Sequence, residues 1–276
     1  MTIIASLLRD AQLPDSPTAR LDVELLLAAA LGKSRSYLRT WPERIVGSEA
    51  AQVFADYLQR RRQGEPVAYI LGQQGFWSLD LEVAPHTLIP RPDTELLVEL
   101  ALERLPDAQA RVLDLGTGTG AIALALGRER SGWRLIAVDR VPEAVALAER
   151  NRLRVGLDNV EVRASHWFSA LAGERFNLIV SNPPYIRAQD PHLSEGDVRF
   201  EPASALVSGS DGLDDIRQII AAAPDHLQPG GWLLLEHGYD QAALVRELFA
   251  QRGFEQIESR EDHGGHERVT LGRLAC

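Results

Sequence analysis

Apolar positions along this chain follow two rhythms. Through residues 1–75 they recur at helical spacing. The stretch "TARLDVELLLAAALG" carries one such stripe and stops at Gly32, as a helix ending on glycine does. "SEAAQVFADYLQRRRQG" carries another, with Val53, Phe54, Tyr57 and Leu58 on one face, Ser48 as the expected cap and Gly64 as the stop. Arg60, Arg61 and Arg62 close that helix; cations suit the dipole there, and a solvated end is expected. In "FWSLDLEVAPHTLIPRPDTE" the period shortens to two. Leu79, Leu81 and Val83 alternate with Ser78, Asp80 and Glu82, which predicts a strand with one polar face. "APHT" offers a turn into a second short strand, so residues 76–92 are expected to form a β-hairpin linker.

From residue 93 helices and strands alternate. "TELLVELALERL" precedes the apolar run "RVLDLG", "GAIALALGRER" precedes "RLIAVD", and "PEAVALAERNRLRVG" precedes "VEVRAS". "FNLIVSN" follows, then a long loop, the helical "GLDDIRQIIAAAPDHL" and the apolar "GWLLLEHG". Such alternation implies a parallel sheet covered on both faces. The end differs. After the helical "DQAALVRELFAQRG", the strands "FEQIESRED" and "HERVTLGRL" are joined by a short connection, which demands antiparallel pairing. The expected fold class is α/β: a doubly wound, Rossmann-like sheet over residues 93–276 with an antiparallel terminal hairpin, preceded by a small helical domain over 1–75.

Composition narrows the class. With 276 residues, 45% of them apolar and 25% charged, the chain has the balance of a soluble globular protein. No apolar run approaches the roughly 20 residues that span a bilayer. "MTIIASLLRDAQLPDS" lacks the basic start, long apolar centre and small-residue cleavage site of a signal peptide, so a cytoplasmic location without membrane contact is expected. The single cysteine, Cys276, excludes an intramolecular disulfide and a cysteine-rich zinc site. A net charge of −10 argues against a nucleic-acid surface, which needs a basic face. Residues 1–75 hold nine Lys and Arg against eight Asp and Glu, and the remainder holds 20 against 31. The longer part is therefore poorly suited to a polyanion.

Candidate chemistry gathers at strand ends. "LDLGTGTG" places Gly116, Thr117, Gly118, Thr119 and Gly120 between a strand and a helix. Free amides and the positive helix end meet a ligand there, and glycine lets it come close. The G-x-G-x-G spacing departs from the nicotinamide fingerprint, and no Lys-[Ser/Thr] follows to make a triphosphate P-loop. Asp114 precedes the loop. Asp139 ends the next strand, where an acid can accept both hydroxyls of a ribose. Together these features resemble the class I S-adenosylmethionine-dependent methyltransferases, whose sheet also ends antiparallel. In that resemblance "SHWFSAL" lies against the adenine, where Trp167 or Phe168 can stack; core filling is the alternative for Trp167.

Asn182-Pro183-Pro184-Tyr185 ends the run "FNLIVS" on two residues that cannot donate to a ladder. Ligands of an open α/β sheet gather at that same edge. A delocalised amide or aryl-amine nitrogen is a poor nucleophile. The Asn182 side-chain oxygen and the Pro183 carbonyl can each accept one of its N–H groups. Proline stiffness pre-sets the angles, which is catalysis by positioning and electrostatics. Tyr185 can lie on the planar group and exclude water. The motif [Asn/Asp]-Pro-Pro-[Tyr/Phe] resembles that of methyltransferases acting on exocyclic or amide nitrogens, among them DNA adenine-N6, ribosomal RNA guanine and protein glutamine-N5 enzymes.

The combination of "IPRPDTE", "NPPY" and "VRFEP" with an N-terminal helical domain resembles the bacterial release-factor glutamine methyltransferases (the PrmC/HemK family) over nearly the whole chain. The resemblance implies N5-methylation of the glutamine in the Gly-Gly-Gln tip of class 1 peptide chain release factors, a protein methylation in translation termination. S-adenosyl-L-methionine would be the donor and S-adenosyl-L-homocysteine the product. Gly116, Thr117, Gly118, Thr119, Gly120, Asp139, Trp167 and Asn182 would contact the donor. Asn182, Pro183, Pro184 and Tyr185 would hold the glutamine, with Asn182, Pro183 and Tyr185 catalytic. Arg91 and Glu95 would help shape the substrate pocket; a plain helix start with Pro92 in the first turn and Asp93 as cap is the other reading. The helical domain would recognise the substrate, and the protein would be a monomer with no stable nucleic-acid partner. In the family an acid often precedes the aromatic of "SHWF"; His166 stands here instead, which removes a carboxylate acceptor. "HGGH" reads as a loop rather than a metal site, and Glu236-His237 as structural. Two rivals stay open: a nucleic-acid base N-methyltransferase, and a binding module on an inactive cofactor fold.

Overall fold

The computed structural model describes residues 2–106 and 108–276. Five helices come first: α1 (Ile4–Asp10), α2 (Ala19–Leu31), α3 (Arg35–Thr40), α4 (Ser48–Arg62) and α5 (Val67–Leu71). Leu26, Leu27, Leu38, Phe54 and Leu58 interlock in one apolar core. Helix α2 ends where expected, on Gly32 in the left-handed conformation at φ 59°. Two details depart from the expectation. Ser48 is the first residue of α4, and Gly47 occupies the cap position with no side-chain hydrogen bond. Arg61 is not solvated. It lies buried, 2.7 Å from Asp22 Oδ2 and 2.7 Å from Asp197 Oδ1. The unit built on these helices ends at Gln73 and also takes in Ser194–Phe200, so Asp197 belongs to it.

The hairpin is real but shifted. Strand β2 (Leu79–Glu82) is the alternating segment, and its partner β1 (Gln73–Phe76) precedes it rather than following through "APHT". "QQGF" buries only Phe76, so it offers no alternation to read. Residues 83–91 run on as an irregular loop. A 3-10 turn at Pro92–Thr94, with Arg91 at its cap position, leads into α6 (Glu95–Arg104), whose own cap position is Thr94 rather than Asp93.

The second unit holds a seven-stranded sheet: β3 (Arg111–Leu115), β4 (Arg134–Asp139), β5 (Val160–Ala164), β6 (Phe176–Ser181), β7 (Leu227–Glu236), β8 (Phe254–Glu261) and β9 (Glu267–Leu274). Its order is β5-β4-β3-β6-β7-β9-β8. The first five strands run parallel, while β9 pairs antiparallel with both β7 and β8. Helices α7 (Ala121–Glu129), α8 (Pro142–Val155), α9 (Asp214–His226) and α10 (Ala242–Gln251) complete it. Strand alternation splits the core in two. Val112, Leu135, Leu178 and Leu234 pack beneath α6 and α7; Leu113, Ile136, Ile179 and Leu233 pack with α9 and α10. Because β3, β4 and β6 are parallel neighbours, their C-terminal ends at Leu115, Asp139 and Ser181 share one edge.

Candidate active site

A cleft opens along that edge, with about 930 Å3 of empty space counted together with the solvent at its mouth. Gly116, Thr117, Gly118 and Thr119 line its floor. Gly116, Gly118 and Gly120 all have positive φ, at 71°, 56° and 87°, a conformation glycine enters without strain. Gly120 is the turn into α7 and is not part of the lining. The cleft wall crowds Gly116: a Cβ there would stand 3.2 Å from the Trp167 ring. Asp139 closes against the loop, accepting the Gly118 amide through Oδ2 and the Val141 amide through Oδ1, both at 2.9 Å. Each carboxylate oxygen has two acceptor directions, so capacity remains for two further donors from the cleft.

Beneath the loop Asp114 is almost wholly buried. Its Oδ2 accepts the Thr117 hydroxyl at 2.6 Å and the Ala123 amide at 3.3 Å, while Oδ1 has no partner. Burial outweighs these bonds and pushes the carboxyl up to about 7. Two further buried polar atoms of cleft residues lack partners, Trp167 Nε1 and His86 Nε2. A floor with backbone room at Gly118, a ribose-type acceptor in Asp139 and unpaired polar atoms in the walls fit a nucleoside-bearing ligand.

Asn182 and Pro184 line the same cleft. The Asn182 Nδ2 donates to Thr94 Oγ1 at 3.1 Å. Pro183 is buried and Tyr185 half-buried, and neither side chain reaches the lining. Tyr185 turns its hydroxyl to Glu236 Oε1, 3.3 Å away, and burial raises its pKa well above the usual phenol value. Its backbone is pinned from outside: Gln241 Nε2 donates to the Tyr185 carbonyl at 3.0 Å, and Ile186 bridges to Val207. Glu236 itself is buried with its Oε2 unpartnered, and desolvation pushes it up to about 7 against the charge of Arg268 and the hydrogen bond of the Tyr185 hydroxyl.

Arg91 lines the cleft and is ion-paired with Glu201, whose side chain is fully buried. Glu201 Oε2 also accepts the Ile89 amide at 3.3 Å. The acid of "VRFEP" thus fastens the "IPRP" loop, which explains two distant motifs by one contact. Glu95 is placed differently from the expectation: it is absent from the lining and accepts the Trp77 amide at 2.7 Å, closing the β1–β2 turn.

Residues 4–72 match the family model for the PrmC N-terminal domain, and residues 92–210 match the methyltransferase small domain. The release factor glutamine methyltransferase of Pseudomonas aeruginosa is 73% identical over 276 residues, all of both chains. The one from Escherichia coli K12 is 52% identical over 268 residues, 96% of this chain and 97% of that one. The chain belongs to the release factor glutamine methyltransferases. Solved structures repeat the fold at low identity. A Pyrococcus furiosus methyltransferase aligns with TM-score 0.57 and 18% identity over 80% of this chain and all of that one. The hMettl16 catalytic domain aligns with TM-score 0.59 and 16% identity over 82% and 80% of the two chains.

Sequence reasoning missed several residues of this methyltransferase's site. Thr94 and Ser165 line the cleft from within "IPRPDTE" and "SHWFSAL" without having been singled out there, and His86, Thr87, Ser204 and Asp215 line it outside the motifs that carried the site. Asn151, fully buried on α8, joins the hairpin to the glycine loop by donating to the Glu82 and Thr119 carbonyls at 3.0 and 2.9 Å. A lone Asn in a helix that otherwise alternates apolar and charged positions was the available signal. His166 does line the cleft, and Phe168 stacks instead on His226, 4.5 Å between centroids. His237 is structural, as expected: Nδ1 donates to the Gly238 carbonyl at 2.9 Å and Nε2 accepts the Thr270 hydroxyl at 2.8 Å. The "HGGH" segment is the turn between β8 and β9.

Proposed function

We propose that this protein methylates N5 of the glutamine in the Gly-Gly-Gln tip of class 1 release factors, using S-adenosylmethionine, as a cytoplasmic monomer. The observation that carries the reading is the convergence of Asn182 with the glycine loop and Asp139 in one cleft. Family membership supports it over methylation of a nucleic-acid base, and the −10 net charge points the same way. Bound at the glycine loop, the donor supplies an electrophilic methyl group. Gly116 to Thr119 give it close backbone approach, and Asp139 offers acceptors for ribose hydroxyls. Asn182 Oδ1 and the Pro183 carbonyl accept the two N–H groups of the substrate amide, fixing the nitrogen and stabilising charge as it develops. The Arg91–Glu201 pair sets the lip of the cleft.

The test is incubation with labelled donor and purified release factor carrying Gln or Ala at the tip. Label on the Gln form alone is expected. Label that ignores the tip residue, or none on either, overturns the substrate assignment.

A further inference from the structure

We propose that Gln241 is the positioning residue of the amide clamp: its side-chain NH2 binds the Tyr185 carbonyl and so fixes where the Pro183 carbonyl points. The inference rests on Asn182 and Pro183 forming that clamp, and it names what holds the clamp in shape.

The turn cannot fix itself. Strand β6 holds the chain as far as Ser181, which pairs with Leu115 and Leu235 and whose hydroxyl donates to the Leu115 carbonyl at 2.7 Å. Pro183 and Pro184 follow with no N–H to donate. Their rings fix φ and leave ψ free, and the direction of the Pro183 carbonyl depends on that ψ. It is settled only when the far end of the turn is held as well. Farther out, the Ile186 amide donates to the Leu206 carbonyl at 2.8 Å, and the Ser208 amide to the Ile186 carbonyl at 3.0 Å. Nearer the clamp, Gln241 Nε2 donates to the Tyr185 carbonyl at 3.0 Å and to the Asp211 carbonyl at 3.4 Å.

Gln241 stands at the cap position of α10 and is 4% exposed. Which end of its carboxamide faces the turn is forced. The Gly238 amide can only donate, and it takes Oε1 at 2.8 Å. The Tyr185 and Asp211 carbonyls can only accept, so they take the NH2. An acceptor alone would close the turn from Gly238 to Gln241; the NH2 is there for the two carbonyls. Gly212 leaves it room, since a Cβ at that position would fall 2.6 Å from Nε2.

A carboxyl in place of this amide makes the contact switchable. Ionised, it keeps the Gly238 bond and turns an acceptor on two acceptors. Protonated, it has one hydrogen to give back to the Tyr185 carbonyl. Buried there, it should hold its proton well above the ordinary carboxylate range. The charged groups around it have partners of their own. Asp240 pairs with Arg187, the Asp211 carboxylate with Arg217, and the Tyr185 hydroxyl turns to Glu236, which feels the charge of Arg268. Burial lowers the pKa of the neighbouring His237. Glu236 and Asp114, both near 7, titrate in wild type and variant alike. The ratio of variant to wild type at each pH therefore cancels them.

The experiment measures kcat and KM for the release factor, donor affinity by calorimetry and hydrogen exchange of the 182–188 amides. It compares the wild type, Gln241→Glu and Gln241→Met at pH 6 and 8.5. At pH 8.5 Gln241→Glu should turn over about tenfold more slowly than the wild type, the loss expected of a buried carbonyl left unpaired. KM and donor affinity should stay within about twofold, because the loss falls on placement of the reacting nitrogen. At pH 6 the gap in kcat should close to about threefold or less. Gln241→Met has no proton to regain and should be slow at both. The 182–188 amides should exchange faster than in the wild type wherever turnover is slow. A ratio of Gln241→Glu to wild type that does not move with pH overturns the proposal. So does wild-type kcat in Gln241→Met, or a parallel loss of donor affinity. If Gln241→Glu unfolds at pH 8.5, its rate at pH 6 beside that of Gln241→Met decides, and equal rates overturn. If Gln241→Met does not fold, the pH ratio of Gln241→Glu decides alone. Wild-type protein that leaves the release factor unlabelled defeats the proposed function instead. Amide exchange then judges Gln241 by itself, and exchange that stays at the wild-type rate in the variants overturns its role.

Discussion

Asp114 shows how much one side chain can be bent by its place. Ordinary aspartate titrates near 3.8, yet here burial beneath the glycine loop raises it to about 7, helped by the negative charge of Asp139. A carboxyl raised in the fold binds its proton more tightly there than in the unfolded chain. The stability it contributes is therefore complete below about pH 4 and is lost as pH rises through 7. Asp114→Asn has no proton to lose. The stability of the wild type relative to Asp114→Asn should fall by on the order of 1–3 kcal/mol between pH 4 and pH 8, measured by urea unfolding of both proteins at each pH. The subtraction cancels Glu236, which titrates in the same direction. A difference that does not move with pH would mean that Asp114 is ionised throughout.

At the scale of elements, the turn after β6 works because other segments hold it. Gly212 leads into α9 at φ 82°, and a Cβ there would stand 2.2 Å from the Tyr185 carbonyl and 2.6 Å from Gln241 Nε2. Backbone cannot move aside as a flexible side chain does. Gly212→Ala should thus cost about 2–4 kcal/mol, combining left-handed strain with displacement of the turn. It should also slow turnover more than it weakens donor binding, since the Gly116–Thr119 floor is untouched; thermal melts and calorimetric donor affinity check both halves. The same contrast explains what was legible in the sequence. Strands β3, β4, β6 and β7 announce themselves as apolar runs between helical stripes and β5 as an alternating "VEVRA", and "GTGTG" and "NPPY" carry their geometry in adjacent residues. The contacts that finish the site join residues far apart: Asn182 to Thr94, Ile89 to Glu201, Glu82 to Asn151. No local period records such pairings. Strand β1 was hidden for a different reason, since a four-residue edge strand with one buried side chain has no pattern to repeat.

The molecule as a whole rests on separate cores, one among α1 to α5 and two on the faces of the sheet. Stability then need not be lost in a single step. Arg61 is the side chain best placed to show this. It is buried within the helical unit and holds two carboxylates, Asp22 and Asp197, besides donating to the Glu65 carbonyl at 3.1 Å. The basic run "RRR" looked like a solvated helix end because sequence shows the charge and not its partners. Removing one member of a buried ion pair strands the other, at about 3–5 kcal/mol. The Ser16 and Thr18 hydroxyls, each 2.8 Å from Asp22, soften that loss without cancelling it. Arg61→Ala should accordingly bring the melting of the helical unit to lower temperature while the sheet keeps its own transition. Donor affinity at 20 °C should match the wild type, because the glycine loop and Asp139 belong to the other unit. Calorimetric scans paired with donor titrations read both effects. A single transition that shifts as a block, with donor affinity lost alongside it, would show that the two units melt as one.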